Sequence, residues 1–280
     1  MATPIEPDEN GNCPEGYKKN SSTGMCEPIC SGGKLYNKAT KKCECPFGKM
    51  EDSSGNCIID PCYYLKQQID PNFNNIKPAL TDLKSKVKLP GERGYAFIKD
   101  GNNYLNKEIA VSVLEFDNVR PPVGSKIYGG AHSHTLDLHN MFSWSDVFVL
   151  YSFYKNTDIS LRENVIYYLV GWNDLTNTEE VHALTISDFA KLESRLNKDI
   201  INIVKLHPDL NGNSSVDKAV NKLNDFFKHK YRSSTDLSYD FLTYFKNHGI
   251  ELYKADNNIN NFSKVSINPT TNKTVETPCK

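Results

Sequence analysis

Apolar residues follow two different rhythms along the chain. From 13 to 62 they are sparse: Tyr17, Met25, Ile29, Leu35, Tyr36, Phe47, Met50, Ile58 and Ile59. So little apolar area cannot offset the entropy of ordering that segment. Beyond Cys62 the pattern thickens. "YYLKQQI" and "NFNNIKPALTDLKSKV" read as helices, with Ile76, Leu80, Leu83 and Val87 as the apolar positions and Pro78 early, where a helix tolerates it. "GYAFIKDGNNYLNKEIAVSVLEF" reads as a hairpin turning at Asp100-Gly101-Asn102. "KIYGGAHSH" predicts a strand that loses its side chains at two glycines. "SWSDVFVLYSFYKN" predicts a helix apolar all round, hence buried, whose Phe148, Tyr151, Phe153 and Tyr154 belong to the core. "ENVIYYLVGW" and "EEVHALTI" predict a second hairpin across "NDLTNT". Helices follow over "SDFAKLESRLNKDI", "SSVDKAVNKLNDFFKHKY" and "DLSYDFLTYFKNHG", the last stopped at Gly249. "IELYKA" and "FSKVSIN" close the chain as short strands. Strands with helices between them predict an α/β or α+β class with a mixed sheet.

The cysteines divide the chain. Seven lie between Cys13 and Cys62, and the eighth is Cys279. "CPEGYKKNSSTGMC", "CSGGKLYNKATKKC" and "CPFGKMEDSSGNC" form an internal repeat, each with Gly fourth and Cys at both ends. One clipped loop per repeat predicts Cys13–Cys26, Cys30–Cys43 and Cys45–Cys57, leaving Cys62 for Cys279. Spacing alone does not fix connectivity. Each small loop so closed contributes roughly 3 kcal/mol in the chain-entropy view. Zinc ligation is the competing reading, but Cys43-Glu-Cys45 is not a C-x2-C knuckle and the block holds no His. The expected organisation is a tail over 1–12, a cysteine-rich module over 13–62, a core over 63–205 and a C-terminal extension over 206–280.

A net charge of -1 gives no reason to expect nucleic acid or an anionic membrane as partner. The most apolar window, "VFVLYSFY", is too short for a bilayer span. "MATPIEPDENGN" lacks the basic and apolar runs of a secretory signal, whereas the cysteine block argues for an oxidising destination, extracellular or on a virion or cell surface.

The chemistry concentrates in "GGAHSHTLDLHNMFSWSD". Two apart on a strand, His132 and His134 share a face and can grip one zinc ion. Ser143 as N-cap puts Asp146 at the third helical position, pointing back toward the strand end. Two His and one Asp leave a fourth position for water, the open arrangement of a catalytic zinc. Ser143 is a candidate oxyanion donor. Glu92 is the first candidate base, with Glu108 and Glu115 as alternatives. Other readings of the same residues are a capping box for Ser143 and Asp146, compatible with ligation, and a substrate-side or solvent-exposed place for Asp137 and His139. His182 reads as structural, and His207, His229 and His248 show no partner pattern.

A Glu ahead of an apolar strand, His-Ser-His at a strand end and Ser-x-x-Asp opening a buried helix resemble the JAMM (JAB/MPN+) zinc metalloproteases. The resemblance covers about 70 to 195. It implies zinc on His132, His134 and Asp146, a water activated by Glu92, and Ser143 assisting at the oxyanion. Two features depart from the family pattern. Eight residues, Thr135 to Phe142, separate His134 from Ser143 where seven are usual, and Thr135 stands where Pro is common. A register shifted by one would put Ser145 in the ligand's place and leave a metal-free scaffold.

The expected function is therefore a zinc peptidase or isopeptidase acting on a peptide or protein. The family's phage tail peptidases make cell-wall peptides or a processed structural protein candidate substrates. An inactive scaffold serving as a binding module is the alternative. A zinc deaminase would need H-x-E and P-C-x-x-C, and neither is present.

Overall fold

A computed structural model describes residues 4–109, 119, 121–207 and 215–279. The chain divides into two compact units, 1–63 and 64–280.

The first unit is a row of antiparallel hairpins: β1 (Tyr17–Lys19) with β2 (Cys26–Pro28), β3 (Leu35–Asn37) with β4 (Lys42–Glu44), and β5 (Lys49–Glu51) with β6 (Cys57–Ile59). Each repeat carries its own disulfide, Cys13–Cys26, Cys30–Cys43 and Cys45–Cys57. Cys62 and Cys279 are disulfide-bonded too, so no thiolate remains to hold zinc. The repeated glycine now has its reason. Gly16, Gly33 and Gly48 have φ of 84°, 77° and 78°, a left-handed turn that a Cβ disfavours. At each tip the side chain of Asn20, Asn37 or Asp52 accepts a backbone N–H two residues on. Bonded cysteines throughout suit an oxidising environment.

In the second unit, α1 (Pro61–Ile69) and α2 (Lys77–Lys86) precede a mixed α/β assembly. Its strands are β7 (Gly94–Asp100), β8 (Asn103–Ile109), β9 (Ile127–Ser133), β10 (Ile166–Asn173), β11 (Thr178–Ile186), β12 (Ile250–Ala255), β13 (Phe262–Ile267) and β14 (Thr274–Pro278). They form one eight-stranded sheet in the order β14-β13-β12-β11-β10-β9-β7-β8. The expected hairpin turn closes β7 onto β8, with Asp100 paired to Asn103 and Gly101 at φ 60°. Both later strands foreseen near the C-terminus join this sheet through β12 and β13, and β14 extends it further.

Among the described strands, only β9 and β10 pair in parallel. A parallel pair needs a crossover, supplied by α3 (Trp144–Asn156) and a 3-10 turn over Ile159–Asn164. The glycines in "YGGAH" let these layers close. A Cβ on Gly129 would sit 2.3 Å from the Ile166 carbonyl oxygen, and one on Gly130 3.2 Å from the Phe153 ring. Helices α4 (Phe189–Leu206), α5 (Ser215–Arg232) and α6 (Leu237–Tyr244) complete the α3 side. There Phe142, Trp144, Leu150, Phe153, Leu184 and Phe241 are buried in one core. The opposite face meets α1 and α2, where the Tyr168 hydroxyl donates to Gln68 and the Tyr95 hydroxyl to Asp82. Among the described residues no helix is long and apolar enough to cross a membrane.

Candidate metal centre

The carboxyl end of β9 and the first turn of α3 meet at one point, the place where α/β sheets commonly hold ligands. His132 and His134 come from the strand, and Asp146 from the helix. Their exposures are 2%, 7% and 7%, so three ionisable groups share an interior site. The two Nε2 atoms lie 3.1 Å apart. His132 Nε2 is 3.2 Å from Asp146 Oδ1, and His134 Nε2 is 3.7 Å from Asp146 Oδ2. Two donors on a tetrahedral ion with bonds of ~2.0–2.1 Å would stand about 3.3 Å apart. The spacing is thus already that of a shared cation, and this buried group could bind a metal ion.

Each donor is oriented by local chemistry. His134 Nδ1 is 2.7 Å from the His139 carbonyl oxygen. A carbonyl only accepts, so Nδ1 carries the proton and Nε2 offers a lone pair. His132 stacks on Tyr167 at 4.8 Å, and its Nδ1 lies near the Tyr168 backbone but outside good hydrogen-bond geometry. Asp146 closes a full capping box with Ser143: its Oδ2 accepts from the Ser143 N–H at 2.6 Å and hydroxyl at 2.8 Å. Oδ2 is therefore committed to the cap, and Oδ1 faces His132. Cap and candidate ligand are one residue, as the two-oxygen argument expects.

Burial opposes charge on His132, but Asp146 and then Glu92 outweigh it and hold its pKa above the ordinary value. His134 is pushed down, by burial first and by His132 second. For Asp146, burial acts upward, yet His132 and His134 keep the carboxylate well below its usual range. A buried proton shared between His132 and Asp146 stands where a cation's charge would act.

Glu92 arrives by register. Gly94 pairs with His132, and Ser133 N–H donates to the Arg93 carbonyl at 2.8 Å. Continued one further residue, that register sets Glu92 opposite His134. Arg93 N–H also donates to Ser133 Oγ at 3.0 Å, pinning this segment to β9. Glu92 is 9% exposed and its Oε2 accepts from Val119 N–H at 3.1 Å. The alternative bases do not meet the site. Glu108 lies on the edge strand β8, exposed and paired with Lys86 at 3.3 Å. Glu115 lies outside the described residues. The shifted register also fails: Ser145 N–H donates to Asn224 Oδ1 at 2.9 Å and its Oγ accepts from Asn224 Nδ2 at 2.9 Å. Asp137 is exposed, whereas His139 is half-buried with its ring edge-on to Tyr231 at 5.6 Å.

No family model, curated protein or solved structure matches this chain. Its chemistry is read from its own geometry.

Residues after 206 matter to the site in a way the motifs do not announce. Asn224 holds Ser145, and the Tyr231 hydroxyl donates to the Phe142 carbonyl at 2.8 Å, so α5 grips the chain on both sides of the Ser143 cap. The signal is a polar residue within a helical stripe, Val220, Asn224, Phe227 and Tyr231, at a spacing that otherwise calls for apolar side chains.

His182 is buried on β11, its Nε2 4.0 Å from Glu180 Oε2, and burial pushes its pKa down to about 4. Between about pH 6.5 and 4 the unfolded chain takes up a proton that the folded chain refuses. Stability is therefore expected to fall as pH drops through that window, by on the order of 3 kcal/mol. Denaturant midpoints of wild type and His182→Leu across the window check this. An unchanged slope in the variant would remove His182 as the cause.

Proposed function

We propose that the chain is a zinc-dependent hydrolase of amide bonds, a JAMM-type peptidase or isopeptidase. What carries the reading is the convergence of His132, His134 and Asp146 with Glu92 opposite His134. Imidazole and carboxylate donors suit zinc among the first-row ions. A zinc ion held by the three would supply Lewis acidity, polarising a carbonyl and acidifying water.

The chain's own residues divide the rest of the work. Glu92 takes a proton from the attacking water and delivers it to the leaving amine. Ser143 offers its hydroxyl to the developing oxyanion, for which it must leave Asp146 and Ser145, 2.8 Å away in each case. The low-dielectric surroundings strengthen both interactions. The disulfide-bonded module suits an extracellular or virion-associated setting, with cell-wall or structural peptides as the substrate class.

A catalytically inactive scaffold of the same type is the second reading, favoured by two contacts. Val119 N–H occupies Glu92 Oε2, and the Ser143 hydroxyl is engaged by its own helix. The test is zinc-loaded protein against a fluorogenic peptide library that includes isopeptide and D-residue bonds. Chelator-sensitive cleavage, reduced about 10²- to 10⁴-fold in Glu92→Gln at unchanged zinc content, is expected. Stoichiometric zinc with no cleavage of any member would leave the scaffold.

A further inference from the structure

The loop from Thr135 to Phe142 carries the carbonyl that orients His134, and it is anchored on the far side of a glycine. His134 N–H donates to the Val170 carbonyl at 2.9 Å, continuing the β9–β10 register that pairs Val170 with Ser133. Gly171 therefore lies beside His134. On its other side Gly171 pairs with Glu180 of β11. His134, Gly171 and Glu180 form one row across three strands on one sheet face, and its middle position has no side chain.

Asn140 fills that slot. A Cβ on Gly171 would lie 2.2 Å from Asn140 Oδ1, 2.9 Å from its Cγ and 3.1 Å from its Cα. No rotamer change alone relieves a clash that includes the backbone. Asn140 Nδ2 donates to Glu180 Oε2 at 2.8 Å. Glu180 Oε1 is held by Lys254 Nζ at 2.8 Å and Asn173 Nδ2 at 2.9 Å. The carboxylate is thus a fixed post, and Asn140, 7% exposed, is tied to it. The residue immediately before Asn140 is His139, whose carbonyl accepts from His134 Nδ1.

We propose that Asn140 and Glu180 are positioning residues that hold the His139 carbonyl against His134, keeping the proton on Nδ1 and the Nε2 lone pair facing His132 and Asp146. Its consequence for metal binding rests on the zinc reading above. The geometry itself does not, because the tautomer exists without metal. Outer-shell partners of this kind commonly change metal affinity 10- to 100-fold.

The experiment uses the full chain, labelled with 15N-histidine, with wild type, Asn140→Ala, Gly171→Ala, the double variant and Glu180→Gln. Long-range 1H–15N spectra of the metal-free protein at pH 8 report which nitrogen of His134 bears the proton. Chelator competition with zinc reports affinity. Asn140→Ala and Gly171→Ala are each expected to reduce the Nδ1–H population and weaken zinc binding about 10- to 100-fold. The double variant should be no worse than the poorer single one, since both act on one contact. Glu180→Gln, whose amide can still hold Asn140, should stay within about threefold. Should folded Asn140→Ala and Gly171→Ala keep both the wild-type tautomer and wild-type affinity, the positioning role is wrong while the zinc reading stands. If wild type binds no zinc yet the tautomer shifts in the variants, the zinc reading is wrong while the positioning role stands.

Discussion

Replacing His132 with Ala is expected to abolish stoichiometric zinc retention. Wild type equilibrated with zinc should keep one ion per chain after dialysis, and the variant should lose at least two orders of magnitude in affinity, about 3 kcal/mol. His132 supplies one of only three protein donors in the group. The two imidazoles are held 3.1 Å apart in a buried site, so the remaining pair cannot close around the ion from the side His132 occupied. Asp146→Ala should lose the ion as well, but with a second penalty. Asp146 Oδ2 caps α3 through Ser143, and removing a cap costs about 0.5–2 kcal/mol without any metal present. In metal-free protein, therefore, Asp146→Ala should unfold at lower denaturant than wild type, with His132→Ala near wild type. With zinc at a hundredfold excess over its Kd, wild type alone should gain about 2.7 kcal/mol. Elemental analysis and denaturation with and without zinc read all of this. A wild-type protein that retains no ion, or a His132→Ala variant that retains it fully, would remove the metal centre and the hydrolase proposal with it.

How much of this was legible in the chain depends on whether the determining contacts are local. The repeat period fixes which cysteines close each hairpin, and those pairs form. Asp100-Gly101-Asn102 and Ser143-Trp144-Ser145-Asp146 carry turn and cap chemistry within a few residues, and both elements start where that chemistry puts them. Strand β14 gave no such signal, since "TVETP" is polar and nearly all exposed on the sheet edge. Choosing among Glu92, Glu108 and Glu115 was equally out of reach. Proximity to His134 depends on how β7 registers against β9, a pairing of residues far apart in sequence. The additional residue between His134 and Ser143 is absorbed in the loop, and Asn224 settles which side chain turns inward by holding Ser145 away. Nothing near the motif announces that contribution from α5.

Asp199→Ala is expected to destabilise the second unit by about 3–5 kcal/mol, the scale for breaking a buried charged network by removing one partner. Asp199 lies on α4 and is buried. Its Oδ2 accepts from Trp144 Nε1, Arg195 Nε and the Tyr244 hydroxyl, each at 3.0 Å. Arg195 lies over the Tyr244 ring at 4.2 Å and its Nη1 meets His248 Nε2 at 3.1 Å. One carboxylate thus joins α3, α4 and α6. Alanine leaves three donors without an acceptor, and each buried unmet donor costs about 1–3 kcal/mol. Asp199→Asn keeps one acceptor oxygen and should lose less, about 1–2 kcal/mol. The effect should reach the metal centre, because Trp144 is the first residue of α3, directly after the Ser143 cap and two before Asp146. Loosening Trp144 frees that turn to tilt, so zinc affinity should fall together with stability in Asp199→Ala. Denaturation midpoints at constant slope, read beside zinc competition in the folded baseline, separate the two. A variant within 1 kcal/mol of wild type would show that water replaces the carboxylate, and that α3 is held by its apolar face and by Asn224 alone.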